Sequence, residues 1–510
     1  MSLRQSMSGL HTWSGLLVSW ILFVVLFSGT VAVFDKELTR WMTPQLHKLE
    51  EVKVGADQVR ELIALRAPKA HGYWMHPPTE RMPYWTAGWE PADFSEFQSF
   101  LVDAQSGEVL PKTVGGNFFL ELHYELHGGM LGLYVVGVAG VFMLVALVSG
   151  VIVHRRIFKD FFTLRPKAAK QRAWLDAHNV LGVLGLPFHL LMAYTGLAIF
   201  ITFYMTAGIK VAYKNDMEHF FHDVQGAFDR EELGKPAKPP KSIDNMILKA
   251  RAAWGEDAQV GWINIEHPND ASAMVQIRQA VDKGMVNDQR TVSFDSGTGA
   301  LLHVQKPYKP GYKTYAWLTG LHMAQFGNDL LRVMYFVLGL VGCVMVFGGL
   351  QVWVSKRETR GHRGLALVRT LNGAVCGGLP IASLGLLAAS RLLPTDLLQR
   401  TRWEATAFVV IWLLALAHAL LRRGSRAMAR EQFVVLSALA LLLPLLSLFG
   451  PEPGRVTTHV ANGDWMMVGI DLGLLLIGGL CAFLGWRLGQ ERAAPARTRR
   501  ARRARNEEYA

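Results

Sequence analysis

Cysteine is nearly missing from this chain. The 510 residues hold three, Cys343, Cys376 and Cys481, all inside apolar runs. That excludes a disulfide framework outside a membrane, and the lack of any C-x-x-C-H excludes covalent haem attachment. Charge is scarce as well: 18% of residues are charged against 51% hydrophobic. No G-x-G-x-x-G stands between a strand and a helix, and no cytoplasmic stretch is long enough to fold as a nicotinamide or flavin domain. The chain is therefore not expected to take hydride from a nicotinamide unaided. A small-residue cleavage pattern is missing after the first apolar run, which ends in Val33-Phe34-Asp35. That run is expected to remain as an anchor.

What is present is apolar sequence in blocks of about 20 residues, the length a helix needs to cross hydrocarbon. Spans are expected near 12–34, 129–153, 178–205, 328–354, 371–393, 404–421, 431–449 and 465–487, eight in all. The formal charge of +12 lies between the spans. Arg155, Arg156, Lys159, Arg165, Lys167, Lys170 and Arg172 fill one loop, and basic clusters recur at 356–369, at 422–430 and in the Arg-rich tail. The alternate connections, 394–403 and 450–464, hold two arginines and one. The positive-inside rule then places both termini in the cytoplasm of a multi-pass bacterial inner-membrane protein. The tail reads as a topology anchor, so the bilayer is expected as a partner and nucleic acid is not.

Two long segments, 35–126 and 207–320, interrupt the membrane pattern on the opposite, periplasmic side, each the size of a small domain. Each ends in a matching piece, Phe100 to Leu110 and Val292 to Leu302, where an Asp followed four residues on by Gly marks a hairpin between apolar runs. A helix-like stretch precedes each, at 56–67 and 242–254. The expected fold is an all-α polytopic membrane protein with two small α+β periplasmic domains inserted. Span one lies in 1–34 and the first domain in 35–126. Spans two and three with the basic loop occupy 127–206, the second domain 207–320, span four 321–357, four further spans 371–488 and the tail 489–510.

The repetition continues into the membrane. In span one His11 is followed by Gly15 and Ser28-Gly29, and in span three His178 is followed by Gly182 and Thr195-Gly196 at the same offsets. His127 precedes Gly132 by the same interval that separates His322 from Gly327. Two copies of helix, outside domain, helix are therefore expected about a pseudo-two-fold axis along the membrane normal. Across that axis His11 would face His178 at the inner end and His127 would face His322 at the outer end. Two facing neutral imidazoles suit a six-coordinate haem iron. The expectation is two b-type haems per chain.

A lone histidine at a helix end is more often an interfacial anchor, and glycine is common in membrane helices for packing alone. Four histidines repeated in register are harder to explain that way. His189, eleven residues after His178, is expected on the same helix face about 16 Å further in, and an intramembrane histidine is a functional candidate. His154 competes with His11 for the inner haem. His123, one turn before His127, is an alternative outer ligand or a propionate partner. His418, alone in span six, reads as structural.

The stretches RQSMSGLHTWSGLL, LVSGVIVHRRIFKDFFTLRP, WLDAHNVLGVLGLPFHLLMAYTGL and LHMAQFGNDLLRVMYFVLGL, in that order over about residues 1–357, resemble the PepSY-associated transmembrane family, and the two outside segments resemble PepSY units. The resemblance implies membership of iron-uptake systems and, for some members, di-haem reduction of ferric siderophores. It leaves open which of His11, His154, His178 and His189 hold the inner haem. The last four spans depart from the family's four-helix form, with scaffolding, partner contact or quinone access as their candidate roles.

On that reading His127 and His322 stand next to the reaction, quinol or a separate reductase donates electrons, and a ferric siderophore accepts them. Fe(III) reduction weakens a hard-oxygen chelate because the lower charge binds oxygen donors less strongly. Aromatics crowd the outside segments: Tyr73, Trp74, Tyr84, Trp85, Trp89, Trp254, Trp262, Tyr308, Tyr312, Tyr315 and Trp317, beside Lys306, Lys309 and Lys313. About two in three are expected in the core, and the rest over the outer haem as a site for a bulky chelate. Three other classes remain: a siderophore or metal permease, hinted at by Pro187, His189 and Asp471; a regulatory or binding module; and a copper-handling protein, from His71, Met75, His76 and Met82.

Overall fold

A computed structural model describes residues 2–46, 51–94, 97–154, 163–255, 258–281, 285–324, 326–358 and 361–490. Arg155, Arg156 and Lys159 of the basic loop and the Arg-rich tail from 491 onward lie outside the described residues. The chain divides into two compact units, Met1–Gly349 and Leu350–Ala510.

In the first unit, α1 (Leu3–Ala32) opens with a capping box in which Ser2 and Gln5 satisfy each other's backbone N–H groups. A short helix, α2 (Asp35–Met42), follows it, and α3 (Ala56–Arg66) leads into four strands: β1 (Gly72–His76), β2 (Tyr84–Glu90), β3 (Gln98–Asp103) and β4 (Val109–Leu110). Then come α4 (Asn117–Tyr124), the membrane-length α5 (Gly129–Val153), α6 (Lys170–Leu184) and α7 (Leu186–Ile199). The short helices α8 (Ile201–Tyr204), α9 (Thr206–Ala212) and α10 (Met217–Gln225) lead to the second copy: α11 (Ile243–Trp254), β5 (Val260–Glu266), β6 (Met274–Gln279), β7 (Thr291–Asp295), β8 (Leu301–Val304), α12 (Pro310–Met323) and the long α13 (Asp329–Glu358).

Span three departs from the single helix expected over 178–205. It is a pair, α6 and α7, bent by 65°. Pro187 has no N–H to complete the ladder and its ring crowds the preceding turn, and Gly185 between the two helices lets the chain turn. With this break counted as one span, the described residues offer eight candidate membrane crossings, and seven without it.

The segments 35–126 and 207–320 also differ from the expected pair of separate units. Their strands form one eight-stranded antiparallel sheet in the order β4-β3-β2-β1-β5-β6-β7-β8. The join is the β1–β5 pairing, from Gly72 opposite Glu266 to Met75 opposite Ile263. Each four-stranded half would otherwise expose a bare edge of N–H and C=O groups, and each covers the other's. One apolar core results, with Val59, Ile63, Met75, Ala87 and Val102 from the first half and Met246, Ile263, Ile277, Val292 and Phe294 from the second. The Asp-to-Gly hairpins form as the spacing indicates: Asp103 Oδ1 accepts from the Gln105 and Ser106 amides, Asp295 Oδ1 from the Thr298 amide, and Gly107 and Gly299 take φ of 77° and 71°.

The two core helices cap each other. Asp244, in the first turn of α11, accepts hydrogen bonds from the Ala56 and Asp57 amides at 2.9 and 3.3 Å, while Asp57, in the first turn of α3, accepts from Ser242 Oγ and the Ile243 amide at 2.6 and 2.8 Å. Each carboxylate thus satisfies the orphan N–H groups at the positive end of the other helix. Below the sheet, Glu37 of α2 is buried and takes a two-pronged contact from Arg81 at 2.6 and 2.8 Å and a third from Arg332 of α13 at 3.2 Å. Burial by itself would raise the Glu37 carboxyl, but the Arg81 hydrogen bonds and charge, with Arg332, hold it below its ordinary value. This triad ties the sheet to the ends of α1 and α13.

The second unit holds α14 (Leu365–Leu371), which passes through a π turn at Asn372–Gly377 into α15 (Gly378–Leu392), then α16 (Arg400–Arg422), α17 (Arg426–Phe449), α18 (Val456–Ala461) and α19 (Trp465–Gln490). The π turn frees carbonyls that side chains must satisfy. Gln432 donates to Gly373 O at 3.0 Å and the Trp412 indole to Ala374 O at 2.9 Å. His418, read as structural, lies 2.7 Å from Glu431.

Replacing Asp57 or Asp244 with alanine is expected to cost about 1 kcal/mol of sheet-domain stability each. Thermal unfolding of the full chain, or protease sensitivity of the sheet, reads it. Hydrogen bonds hold the Asp57 carboxyl below its ordinary value against the opposing effect of burial. Its contribution is therefore complete above the ordinary aspartate range and lost as pH falls through the folded value.

Candidate functional site

Four histidines stand in a repeated arrangement. His11 of α1 and His178 of α6 face each other with ring centres 6.2 Å apart and planes at 63°. His123 of α4 and His322 of α12 do the same at 6.0 Å and 30°. In each case Nδ1 is occupied by a neighbouring helix. His11 Nδ1 donates to the Ala146 carbonyl of α5 at 2.9 Å, His178 to Met345 of α13 at 2.8 Å and His123 to Val25 of α1 at 2.8 Å. His322 donates to Met192 of α7 and lies 2.9 Å from Thr195 Oγ1.

Four residues beyond each accepting carbonyl stands a glycine: Gly150, Gly349, Gly29 and Gly196. A Cβ at these positions would lie 3.3, 3.2, 2.6 and 3.0 Å from the same four imidazoles. Each ring therefore lies against bare backbone. Donation from Nδ1 selects the tautomer whose Nε2 carries the lone pair, and no hydrogen bond to the Nε2 of these four rings occurs among the described residues. Two imidazoles sharing one metal ion through bonds of about 2 Å hold their centres roughly 6 Å apart. Both pairs meet that spacing, so the donor set fits an axially ligated haem at each. His11 and Gly29 are 18 residues apart on α1, which separates the two levels by roughly 27 Å along the helix.

His127, expected opposite His322, is not brought to it. The helix α4 ends at Tyr124, Leu126 and His127 take φ of 55° and 51°, and the His127 ring turns onto Phe118 at 4.3 Å with Nδ1 3.2 Å from Glu121. His123, still inside the helix, faces His322 instead. The sequence carries this register over a longer range: His123 precedes Gly150 by 27 residues, and His322 precedes Gly349 by the same interval. His127 with Gly132 and His322 with Gly327 match only one turn out of phase.

His154 caps α5 one turn beyond Gly150, and among the described residues no ring contact or hydrogen bond joins it to the four paired rings. His189 does not continue the His178 face, because the 65° bend intervenes. It is fully buried between Gly185 and Gly342, with Nε2 3.2 Å from the Leu338 carbonyl and Nδ1 without a partner. Gly342 precedes Gly349 by seven residues and His189 precedes Gly196 by seven, so His189 stands between the two levels. Phe188 beside it meets Tyr335 at 5.2 Å. Of the suggested copper cluster, Met75 is buried in the core while His76 hydrogen-bonds Gly261 O and stacks near Trp262, on the other face of the sheet. The alternation of a strand separates them.

Above the His123–His322 pair, a cleft of about 320 Å³ opens between the polar sheet face and α12, lined among others by Asp229, Trp262, Glu266, Arg278, Tyr308, Tyr312 and Tyr315. Tyr73, Tyr84 and Trp85 are instead core residues. The Arg278 guanidinium lies over the Trp262 ring at 4.4 Å. Tyr308, Tyr312 and Tyr315 form a run of rings with centres 4.7 and 5.3 Å apart. Tyr315 precedes His322 by seven residues, two turns or roughly 10 Å of α12.

The fold and these pairs define a multi-pass membrane protein with two imidazole pairs, each drawing one ring from either copy of the repeat, beneath a sheet domain. The chain belongs to the PepSY-associated TM region family, which matches residues 8–356. A relative from Pseudomonas aeruginosa, "Uncharacterized protein PA4219", is 27% identical over 398 residues, covering 75% of this chain and 97% of that protein.

Burial, with the charge of Asp229, pushes the Glu266 carboxyl up to about 7. Between its ordinary value and pH 7 the folded chain therefore binds more protons at this group than the unfolded chain, so its contribution to stability falls as pH rises. Glu266→Gln is expected to raise the sheet domain's Tm at pH 8 more than at pH 5. Equal shifts at both pH values would contradict the assignment.

Proposed function

We propose that the protein is an inner-membrane oxidoreductase that holds two b-type haems and passes electrons across the bilayer to a ferric siderophore, releasing Fe(II). The observation that carries the reading is the fourfold unit of imidazole, backbone carbonyl on Nδ1, and glycine. His11 with His178 would hold the inner haem, and His123 with His322 the outer one. When bound, the haems supply one-electron transfer between the two membrane faces.

The protein's own residues do the rest. The Ala146, Met345, Val25 and Met192 carbonyls fix the rings so that Nε2 is the ligating atom, and they raise its basicity. The four glycines hold the rings against the helix backbone, where a side chain would push them away. On the outer side the cleft supplies Arg278 for an anionic chelate and the Tyr308–Tyr312–Tyr315 rings for its apolar bulk. One electron delivered there converts Fe(III) to Fe(II), which oxygen donors bind less tightly. Quinol or a separate reductase feeds the inner pair.

His123→Ala and His322→Ala should each remove the same haem, with the double variant losing no more than either single one, while His127→Ala retains both. To test the reaction itself, the protein is pre-reduced anaerobically and mixed with ferric siderophores while haem reoxidation and trapped Fe(II) are followed. Rapid reoxidation with matching Fe(II), slowed in His123→Ala, is expected. Reduced haems that resist every ferric chelate offered yet are oxidised by quinone would reverse the direction of flow and end the reductase reading.

A further inference from the structure

Away from the paired histidines, His71, Glu232 and His267 converge at one end of the sheet, with one ligand atom from each lying within 4.8 Å of the others. His267 Nδ1 is 2.9 Å and His71 Nδ1 3.8 Å from the same oxygen, Glu232 Oε1. The two rings meet edge to face with centres 5.1 Å apart. Ligand atoms bonded at about 2 Å around a tetrahedral ion lie roughly 3.3 Å from one another, so these distances need only small rotations of the side chains.

The sheet builds this arrangement. His71 precedes Gly72 and His267 follows Glu266, and those two residues are directly paired where β1 meets β5. The two imidazoles are therefore placed by the hydrogen-bond ladder that joins the halves. The third ligand is also held. Asp270, three residues beyond His267, accepts from the Leu233 and Lys235 amides at 2.9 and 3.0 Å and from Ser272, and Pro236 bridges to Asp270. The segment carrying Glu232 is thus fastened to the turn carrying His267. His71 and His267 are mostly shielded and Glu232 is half open to solvent, which leaves an access path and room for water ligands.

We propose that His71, Glu232 and His267 form a site for a divalent first-row transition ion that clips the first half of the sheet to the second. Two imidazoles and one carboxylate are the donor set such ions favour over calcium or magnesium, which prefer all-oxygen shells. The site is separate from the paired histidines and stands or falls whatever they hold.

The test uses the full chain, purified without a histidine tag, stripped with EDTA and dialysed against micromolar zinc, with zinc per chain read by elemental analysis. Haem iron does not contribute to that count. The expected result is one zinc per wild-type chain and a Tm raised by zinc but not by magnesium. His71→Ala and His267→Ala should each lose that zinc and the Tm increase, and Glu232→Gln should weaken binding at least tenfold. Because a variant could fail by misfolding, His222→Ala, outside the trio, serves as the comparison and should keep its zinc. No zinc retained by a folded wild type, or zinc retained equally by His71→Ala and His267→Ala, would overturn the proposal.

Discussion

Four imidazoles can lie flat against neighbouring helices only because the backbone there carries no side chain. Gly29 and Gly196 on one level and Gly150 and Gly349 on the other admit rings that a Cβ would meet at 2.6 to 3.3 Å. At such distances something must shift, and here that is the imidazole whose Nδ1 the neighbouring carbonyl fixes. The packing of α1 on α4 and α5, and of α7 on α12, follows from this contact. Membrane helices lack a hydrophobic drive to associate with one another, so close approach at small residues and polar contacts carry the packing.

The sheet domain obeys the same two-fold logic by different means. Asp57 and Asp244 exchange helix caps, β1 and β5 exchange edges, and one core replaces two. Joining the halves keeps α4 and α12 in register, and these helices carry His123 and His322. Glu37, Arg81 and Arg332 fix the base of the sheet to α2 and α13. Removing one member of that buried triad would strand the remaining charges, a loss of about 3–5 kcal/mol. The cleft between the sheet and α12 therefore sits above His123 and His322 on a braced frame.

Much of this was legible in the sequence. The apolar blocks mark the candidate crossings, and the repeated Asp-to-Gly pieces mark the hairpins. The identical offsets of His11 with Gly29 and His178 with Gly196 point to the His11–His178 pair. Local spacing misplaces the partner of His322 by one turn, because His127 and Gly132 mimic His322 and Gly327, while the defining interval of 27 residues reaches across the helix break at 124–129. Nothing short in range signals that Leu126 and His127 take left-handed backbone. The fusion of the two sheets was hidden for a different reason: strand patterns mark faces, and edge pairing between distant segments leaves no periodic trace. The bend at Gly185–Pro187 had its signal in Pro187, but the apolar run continued through it. The His71, Glu232 and His267 group spans nearly 200 residues and exists only once β1 and β5 pair.

The proposed electron transfer depends on haem being held at the two imidazole pairs. The most direct measurement is the absorption spectrum of the purified, dithionite-reduced protein from haem-replete cells, with a pyridine haemochrome count. A sharp low-spin α-band and about two haems b per chain are the predicted result, since each of the two pairs would offer two imidazoles to one haem iron. A colourless protein would contradict the account.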